Sequence, residues 1–305
     1  GHLQSHCSVE SSRQELMEPV LADLLKLLEL ERIEENYFRG ESRDIGSRRV
    51  FGGQVLGQAL TAANYTVEDR EVHSLHAYFL RAGDSKAPIL YEVDRARDGK
   101  SFSNRRVVAV QHGRPMFNMA ASFQAPEEGV QHQAEIPDVS GPEGLADVSD
   151  VPGDILETLP LEMRRFLTRS RPVEMRPVDP IDLTKRAPRD PVRRVWIRTV
   201  DKLPDDPDLH RNLLAYLSDY QLVGTATLPH GIRWEQGNVQ MASLDHAMWF
   251  HRPFRVDEWL LYSIESPNAS GARGLATGRF FKPDGTLVAS VAQEGLIRIW
   301  PEDDD

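Results

Sequence analysis

The chain carries one run of patterns twice. His76-Ala-Tyr-Phe-Leu-Arg81 returns as His246-Ala-Met-Trp-Phe-His-Arg252, and Tyr91-Glu-Val-Asp94 as Tyr262-Ser-Ile-Glu265. The turn His112-Gly113 returns as Asp284-Gly285, and the separations are 170, 171 and 172 residues. Three matches in order at a nearly constant interval imply an internal duplication. Whatever unit the first copy folds into, the second copy builds again, and 305 residues leave room for two modest domains.

Each copy reads as a helix followed by strands. Gly52 to Ala63 is apolar or small on nearly every face, the pattern of a helix buried all round, and its glycines permit close backbone approach to a sheet. In the second copy Asp208 suits an N-cap, Leu213, Leu214, Leu217 and Tyr220 form an apolar stripe, and Gly224 suits the helix end. Strands are predicted over 72–80, 89–96, 103–111 and 115–124, then over 240–250, 260–266, 272–281 and 286–297. Lys282-Pro-Asp-Gly285 closes the last pair as a turn. A buried helix wrapped by an antiparallel sheet, twice, is an α+β architecture.

Prolines crowd the middle of the chain, where a continuous helix or a central strand is excluded and only one short helix, 160–168, fits between them. The same region holds most of the charge imbalance. From Pro115 through Met163 there are ten Asp and Glu and no Lys or Arg, so the formal net charge of −11 leaves the rest of the chain almost neutral. The expected organisation is therefore a tail over 1–15 (disordered or of artificial origin), a folded unit over 16–125, an acidic Pro-rich connector over 126–190, a second unit over 191–300, and an acidic tail over 301–305. No basic stripe serves a nucleic-acid backbone, and no apolar run is long enough for a membrane span. The single cysteine, Cys7, excludes an internal disulfide and Cys-based zinc sites.

Several longer motifs resemble the type-II acyl-CoA thioesterases (TesB-like). They are Phe51-Gly-Gly-Gln-Val-Leu-Gly-Gln-Ala-Leu60, His73-Ser-Leu-His-Ala-Tyr-Phe-Leu-Arg-Ala-Gly83, Ala121-Ser-Phe-Gln124, Ser243-Leu-Asp-His-Ala-Met-Trp-Phe-His-Arg-Pro-Phe254 and Ala292-Gln-Glu-Gly295. The resemblance spans about residues 20 to 300 and implies a double hotdog, with each copy one hotdog unit. It further implies hydrolysis of medium- to long-chain acyl-CoA to fatty acid and coenzyme A. Matched motif to motif, the family's water-orienting carboxylate, hydroxyl and amide fall on Asp219 (in Leu217-Ser-Asp-Tyr220), Ser243 and Gln293, all in the second copy. No cofactor is implied, because coenzyme A is part of the substrate. A homodimer or homotetramer in the cytoplasm is expected, the latter because the final residues carry no peroxisomal Ser-Lys-Leu address.

The chemistry suits those residue types. A thioester expels a thiolate whose conjugate acid has a pKa of about 8.5, so the leaving group needs little acid help. What remains is an aimed, activated water and a stabilised oxyanion. Asp219 can take the proton, and embedding it in an apolar helix tends to raise its pKa. With Gly113 set against Gly285, Gln293 falls opposite Ala121, and residues 51–65 hold no Asp or Glu, so one working site is expected, in the second half.

Other readings remain beside this one: a hotdog enoyl-CoA hydratase, or an acyl-CoA or acyl-carrier binding protein without catalysis. A Ser243–Asp245–His246 triad is disfavoured, because on one strand Ser243 and Asp245 share a face and His246 points away. His246 and its counterpart His76 are expected to anchor structural hydrogen bonds. Trp249 and Phe250 suit core or acyl-tunnel lining. The pairs Arg48-Arg49, Arg105-Arg106 and Arg193-Arg194 are expected to be solvated.

Overall fold

The computed structural model describes residues 17–43 and 50–301. The expected tail over 1–15 with Cys7, residues 302–305 and the Arg48-Arg49 pair lie outside the described residues. In chain order the elements are α1 (Pro19–Leu28), β1 (Glu31–Glu34), β2 (Tyr37–Gly40), α2 (Gly52–Asn64), β3 (Glu71–Phe79), β4 (Ile89–Asp98), β5 (Phe102–Gln111) and β6 (Arg114–Gln124). Then follow α3 (Gly153–Thr158), α4 (Leu161–Thr168), β7 (Val173–Pro177), β8 (Val192–Thr199), α5 (Pro207–Ser218) and α6 (Leu222–Ala226). The chain ends with β9 (Val239–Ser243), β10 (Asp245–Phe250), β11 (Leu260–Ser270), β12 (Arg273–Phe281) and β13 (Leu287–Ile299).

All strand pairs are antiparallel, in the order β1-β2-β4-β5-β6-β3-β10-β13-β12-β11-β8-β7, with β9 added on β13. Each half curls around its own helix, and β3 and β10 join the halves into one sheet, so the fold is a double hotdog. At that seam Leu75 pairs with Met248 and Ala77 with His246, all four buried on the inner face. The two hairpin turns are as expected: His112 (φ 50°) and Gly113 (φ 71°) in the first half, and Gly285 (φ 92°) in the second, take the left-handed conformation that the tight turns require.

The first helix is buried all round, but the reason differs from the expected one. A Cβ on Gly53 would lie 2.3 Å from the Tyr216 carbonyl oxygen, and one on Gly57 would lie 3.3 Å from that of Asn212. The glycines therefore admit the backbone of α5, the helix of the other half, rather than the sheet. One side of α2 faces its own sheet and the other faces α5, which leaves no side for water.

The second helix departs further from expectation. Its N-cap is Asp206, whose carboxylate accepts from the Asp208 and Leu209 N–H groups at 3.0 and 3.4 Å, while Asp208 sits in the first turn and binds Arg211. The helix stops at Ser218, Gln221 turns the chain at φ 67°, and α6 resumes with Gly224 inside it. On that stretch Val223 and Ala226 fill notches left by Gly295 and Gly274, where a Cβ would come within 2.4 and 2.5 Å of them.

The stretch 126–190 holds two short helices, α3 and α4, where one was expected, and β7, which extends the edge of the second half through β8. Upstream of them, Ile136, Val139 and Leu145 pack on Trp196, Leu261 and Phe281, covering the outer face of the second half. Arg105 is not solvated: it is buried, bonds Thr66 and pairs with Asp98 at 2.8 Å. Arg193 is half-buried, and burial and the charge of Arg189 lower its pKa to about 10. Among the described residues no helix is long and apolar enough to cross a membrane.

Gly53→Ala is expected to force α2 and α5 apart and to cost about 1–3 kcal/mol, as overpacking does. The exposed Gly153, with no atom within 4 Å of a built Cβ, serves as the control. Thermal unfolding of both alanine variants checks this: the melting point should fall for Gly53→Ala and hold or rise slightly for Gly153→Ala.

Candidate active site

Asp219 is placed by a helix that ends where it must. The apolar residues Leu213, Leu214 and Leu217 of α5 are buried, and Asp219 caps the C-terminus at φ −74°, ψ −15°. It is therefore at a helix end and half-buried, not embedded within a helix. The Tyr262 hydroxyl, buried beneath, donates to the Ser218 carbonyl at 2.6 Å and pins that end.

The carboxylate faces the other half of the molecule. Its Oδ2 accepts the Gly53 N–H at 3.0 Å, so the acid of the second half sits on the N-terminus of α2. Unpaired N–H groups and the helix dipole favour negative charge there. Its Oδ1 lies 3.4 Å from the Ser243 hydroxyl, longer than the usual separation of about 2.8 Å between hydroxyl and oxygen.

Ser243 ends β9 opposite Gly295 on β13, and Gln293, buried two positions earlier on β13, donates its Nε2–H to Ser243 Oγ at 2.6 Å. The structure thus brings Asp219, Ser243 and Gln293 together, from a helix end and two neighbouring strands.

His246 joins them, which the alternation argument had ruled out. The expected strand over 240–250 breaks at Leu244, whose N–H bonds Glu294 and whose carbonyl accepts from Phe79. One residue outside the ladder shifts the phase of everything after it. Asp245 then turns to the Glu294 N–H at 2.7 Å, and His246 turns inward to place Nδ1 2.8 Å from Gln293 Oε1. Its Nε2 lies 2.9 Å from the Ser218 hydroxyl. No Ser243–His246 pair results, because Gln293 stands between them.

His76 is not the structural counterpart. It faces outward, exposed, with its ring edge-on to Trp249 at 5.3 Å. Trp249 therefore lies on the face away from the site, while Phe250 is buried and stacks on Phe254.

Burial pushes the His246 pKa below its ordinary value, against the opposing pull of the Asp219 charge, so the ring is neutral at pH 7. Aromatic side chains stand beside the acid. Phe51 packs on Tyr216 and Tyr220 at 5.2 and 5.0 Å, and a Cβ on Gly52 would lie 3.1 Å from the ring of Phe79. Arg169 and Arg171 flank the ring of Phe166 and lie near enough to Tyr220 for their charges to act on its hydroxyl. Two shallow surface hollows, one beside Arg32 and Arg95 and the other beside Asn238 and Trp300, lie elsewhere and include none of the three residues.

Comparison with known proteins decides the family. The model for acyl-CoA thioesterase matches residues 171–296, and that for the acyl-CoA thioesterase N-terminal domain matches 39–124. Acyl-coenzyme A thioesterase 8 of Homo sapiens is 45% identical over 285 residues, covering 90% of this chain and 89% of that protein. The chain belongs to the acyl-CoA thioesterase family. Acyl-CoA thioesterase 2 of Haemophilus influenzae is 44% identical over 286 residues, 92% of this chain and 99% of that protein. The crystal structure of acyl-CoA thioesterase II TesB2 from Mycobacterium marinum superposes with a TM-score of 0.75 at 44% identity, covering 91% of this chain and 98% of that one. As a member of this family the chain is a thioester hydrolase.

Sequence reasoning missed the Gly53 N–H and the inward His246. The signal for the second was present. Gln293 had been set opposite Ala121, and Leu75 is the residue that pairs with Ala121 across the first half. His246 takes the position of that leucine.

A pH dependence of stability follows. Burial lowers the pKa of His210 and His246 in the folded state, so the unfolded chain binds protons more readily below about pH 6.5. Stability is then lost as pH falls through about 6.5 toward the folded values. Thermal scans from pH 8 to pH 5 should show a melting point level above pH 7 and falling below it.

Proposed function

We propose that the protein hydrolyses medium- to long-chain fatty acyl-CoA by direct attack of water, with Asp219 as general base and no covalent intermediate. The observation that carries this reading is the meeting of Asp219, Ser243 and Gln293 beside aromatic side chains at the seam of the two halves. A water held by Ser243 and Gln293 would lie within reach of Asp219, which takes its proton as the oxygen attacks the thioester carbon. The carbon–sulfur bond breaks as the tetrahedral intermediate collapses, and the thiolate leaves as coenzyme A. Gln293 gives only one of its two amide hydrogens to Ser243, so the other is available for the water or the developing oxyanion. The steps use side chains and water alone and call for no added cofactor.

The positive charges of Arg169 and Arg171 beside Tyr220 suit a substrate that carries phosphates. Coenzyme A thioesters are intracellular metabolites, so a cytoplasmic location belongs to the same proposal. A homodimer or homotetramer does as well: Tyr78 is 60% exposed and Leu80 47% exposed at the end of the central strand β3, on the first half. Light scattering should return a mass above one 34.5 kDa chain, and a monomer at micromolar concentration would remove this part.

Thiol release from a panel of acyl-CoA chain lengths tests the main reading. Asp219→Asn keeps the shape and removes the base, and kcat is expected to fall about 10²- to 10⁴-fold. Turnover equal to wild type in a folded Asp219→Asn protein would exclude Asp219 from the chemistry.

A further inference from the structure

We infer that His246 is a positioning residue that fixes which way the Gln293 amide faces, and through it where the Ser243 proton points. The inference rests on the reading of Asp219, Ser243 and Gln293 as the hydrolytic site, and adds a fourth member that touches neither water nor substrate.

Protons along one chain of hydrogen bonds are limited in number and fix one another's direction. Ser218 Oγ, His246 Nε2, His246 Nδ1, Gln293 Oε1, Gln293 Nε2, Ser243 Oγ and Asp219 Oδ1 follow one another with separations of 2.9, 2.8, 2.6 and 3.4 Å between side chains. At one end is a carboxylate, which only accepts. When Ser243 turns its single proton to Asp219, it accepts from Gln293. The amide then presents its NH₂ to Ser243 and its oxygen to His246, and a neutral imidazole meets that oxygen with Nδ1–H. Nε2 is left as an acceptor, supplied by the Ser218 hydroxyl.

One other arrangement satisfies the same geometry. Ser218 can donate instead to the Ala215 carbonyl, 2.8 Å away. His246 would then donate from Nε2 to Ser218, the Gln293 amide would flip to give its N–H to Nδ1, and Ser243 would turn its proton to the amide oxygen. That arrangement strips Asp219 of the Ser243 hydrogen bond and points an oxygen at the place where water is to be held. The negative charge of Asp219 favours the first arrangement, and His246 Nδ1–H supplies the donor that the buried Gln293 oxygen needs in it.

The duplicated half supplies an independent observation. Across the first half the corresponding pair is Leu75 and Ala121, directly opposite each other and both fully buried. Across the second, with Ala247 opposite Ala292, the next pair is His246 and Gln293. The half without the acid is apolar at both positions, and the half with it is polar at both. Burying an imidazole in this scaffold is thus not required by the fold, since the same place in the sister unit is filled by leucine.

Paired substitutions test it. In His246→Asn the side-chain amide overlays Nδ1 and can still donate to Gln293; in His246→Gln it overlays Nε2 and keeps only the Ser218 contact. The expected result is a kcat for His246→Asn within about threefold of wild type. For His246→Gln, kcat should fall about 10- to 100-fold at unchanged KM, the size of loss known for outer partners that orient metal ligands. The double variant His246→Gln/Gln293→Ala should be no slower than Gln293→Ala alone. The opposite ranking of the two single variants, or a further loss in the double variant, would overturn the role. Nitrogen-15 NMR of the imidazole in the wild-type protein gives an answer that does not depend on any variant folding: a neutral ring protonated on Nδ1 is expected, and protonation on Nε2 overturns the inference. If Asp219→Asn or Gln293→Ala is fully active, the fault lies with the hydrolytic site itself and not with His246.

Discussion

The contact between the Gly53 N–H and the Asp219 carboxylate ties the two halves together at the point where chemistry is expected. It exists only because α2 and α5 cross at backbone distance, and that crossing exists only because Gly53 and Gly57 carry no side chains there. The carboxylate is consequently held by the positive end of a helix that belongs to the other copy of the duplicated unit. Neither copy could supply this arrangement alone. The second copy brings the acid, hydroxyl and amide, and the first brings the helix end that orients the acid.

The sequence made much of this visible, for reasons that are local. Period-two alternation and turn residues located the strands flanking His112-Gly113 and Lys282-Pro-Asp-Gly285, since those turns leave little freedom to what they connect. The small-residue face from Gly52 to Ala63 announced a fully buried helix. The family motifs put Asp219, Ser243 and Gln293 on the page before any coordinate. What stayed hidden depended on contacts between distant segments. The partner of the glycine face was taken to be a sheet and is a helix. β1, β2, β7 and β8 are short or flanked by proline and charge, so their pairing is decided by the edges they meet rather than by their own pattern. The break of the second helix at Ser218 has no glycine to mark it, and Gln221 carries the left-handed turn instead.

His246 shows a subtler failure. The sequence match with His76 is real, yet the two side chains face opposite sides of the sheet. Matching letters at an interval of 170 residues ignores that strands alternate with a period of two, so an interval off by one residue exchanges inside for outside. Pairing across the sheet gives the better correspondence. It sets Leu75 and Ala121 of one copy against His246 and Gln293 of the other, an apolar pair against a polar one.

Leu244 gives that exchange its physical form. A single residue standing outside the ladder delivers Ser243 and His246 to the same neighbourhood from what would otherwise be opposing sides of one ribbon. The spacing between β9 and β10 thereby becomes as much a determinant as the residues themselves. Removing one residue there would leave every chemically important letter in the chain intact, and yet rotate the imidazole to the solvent side and leave the amide facing a methyl group. Conservation of length, independent of conservation of identity, is what such a site demands of its descendants.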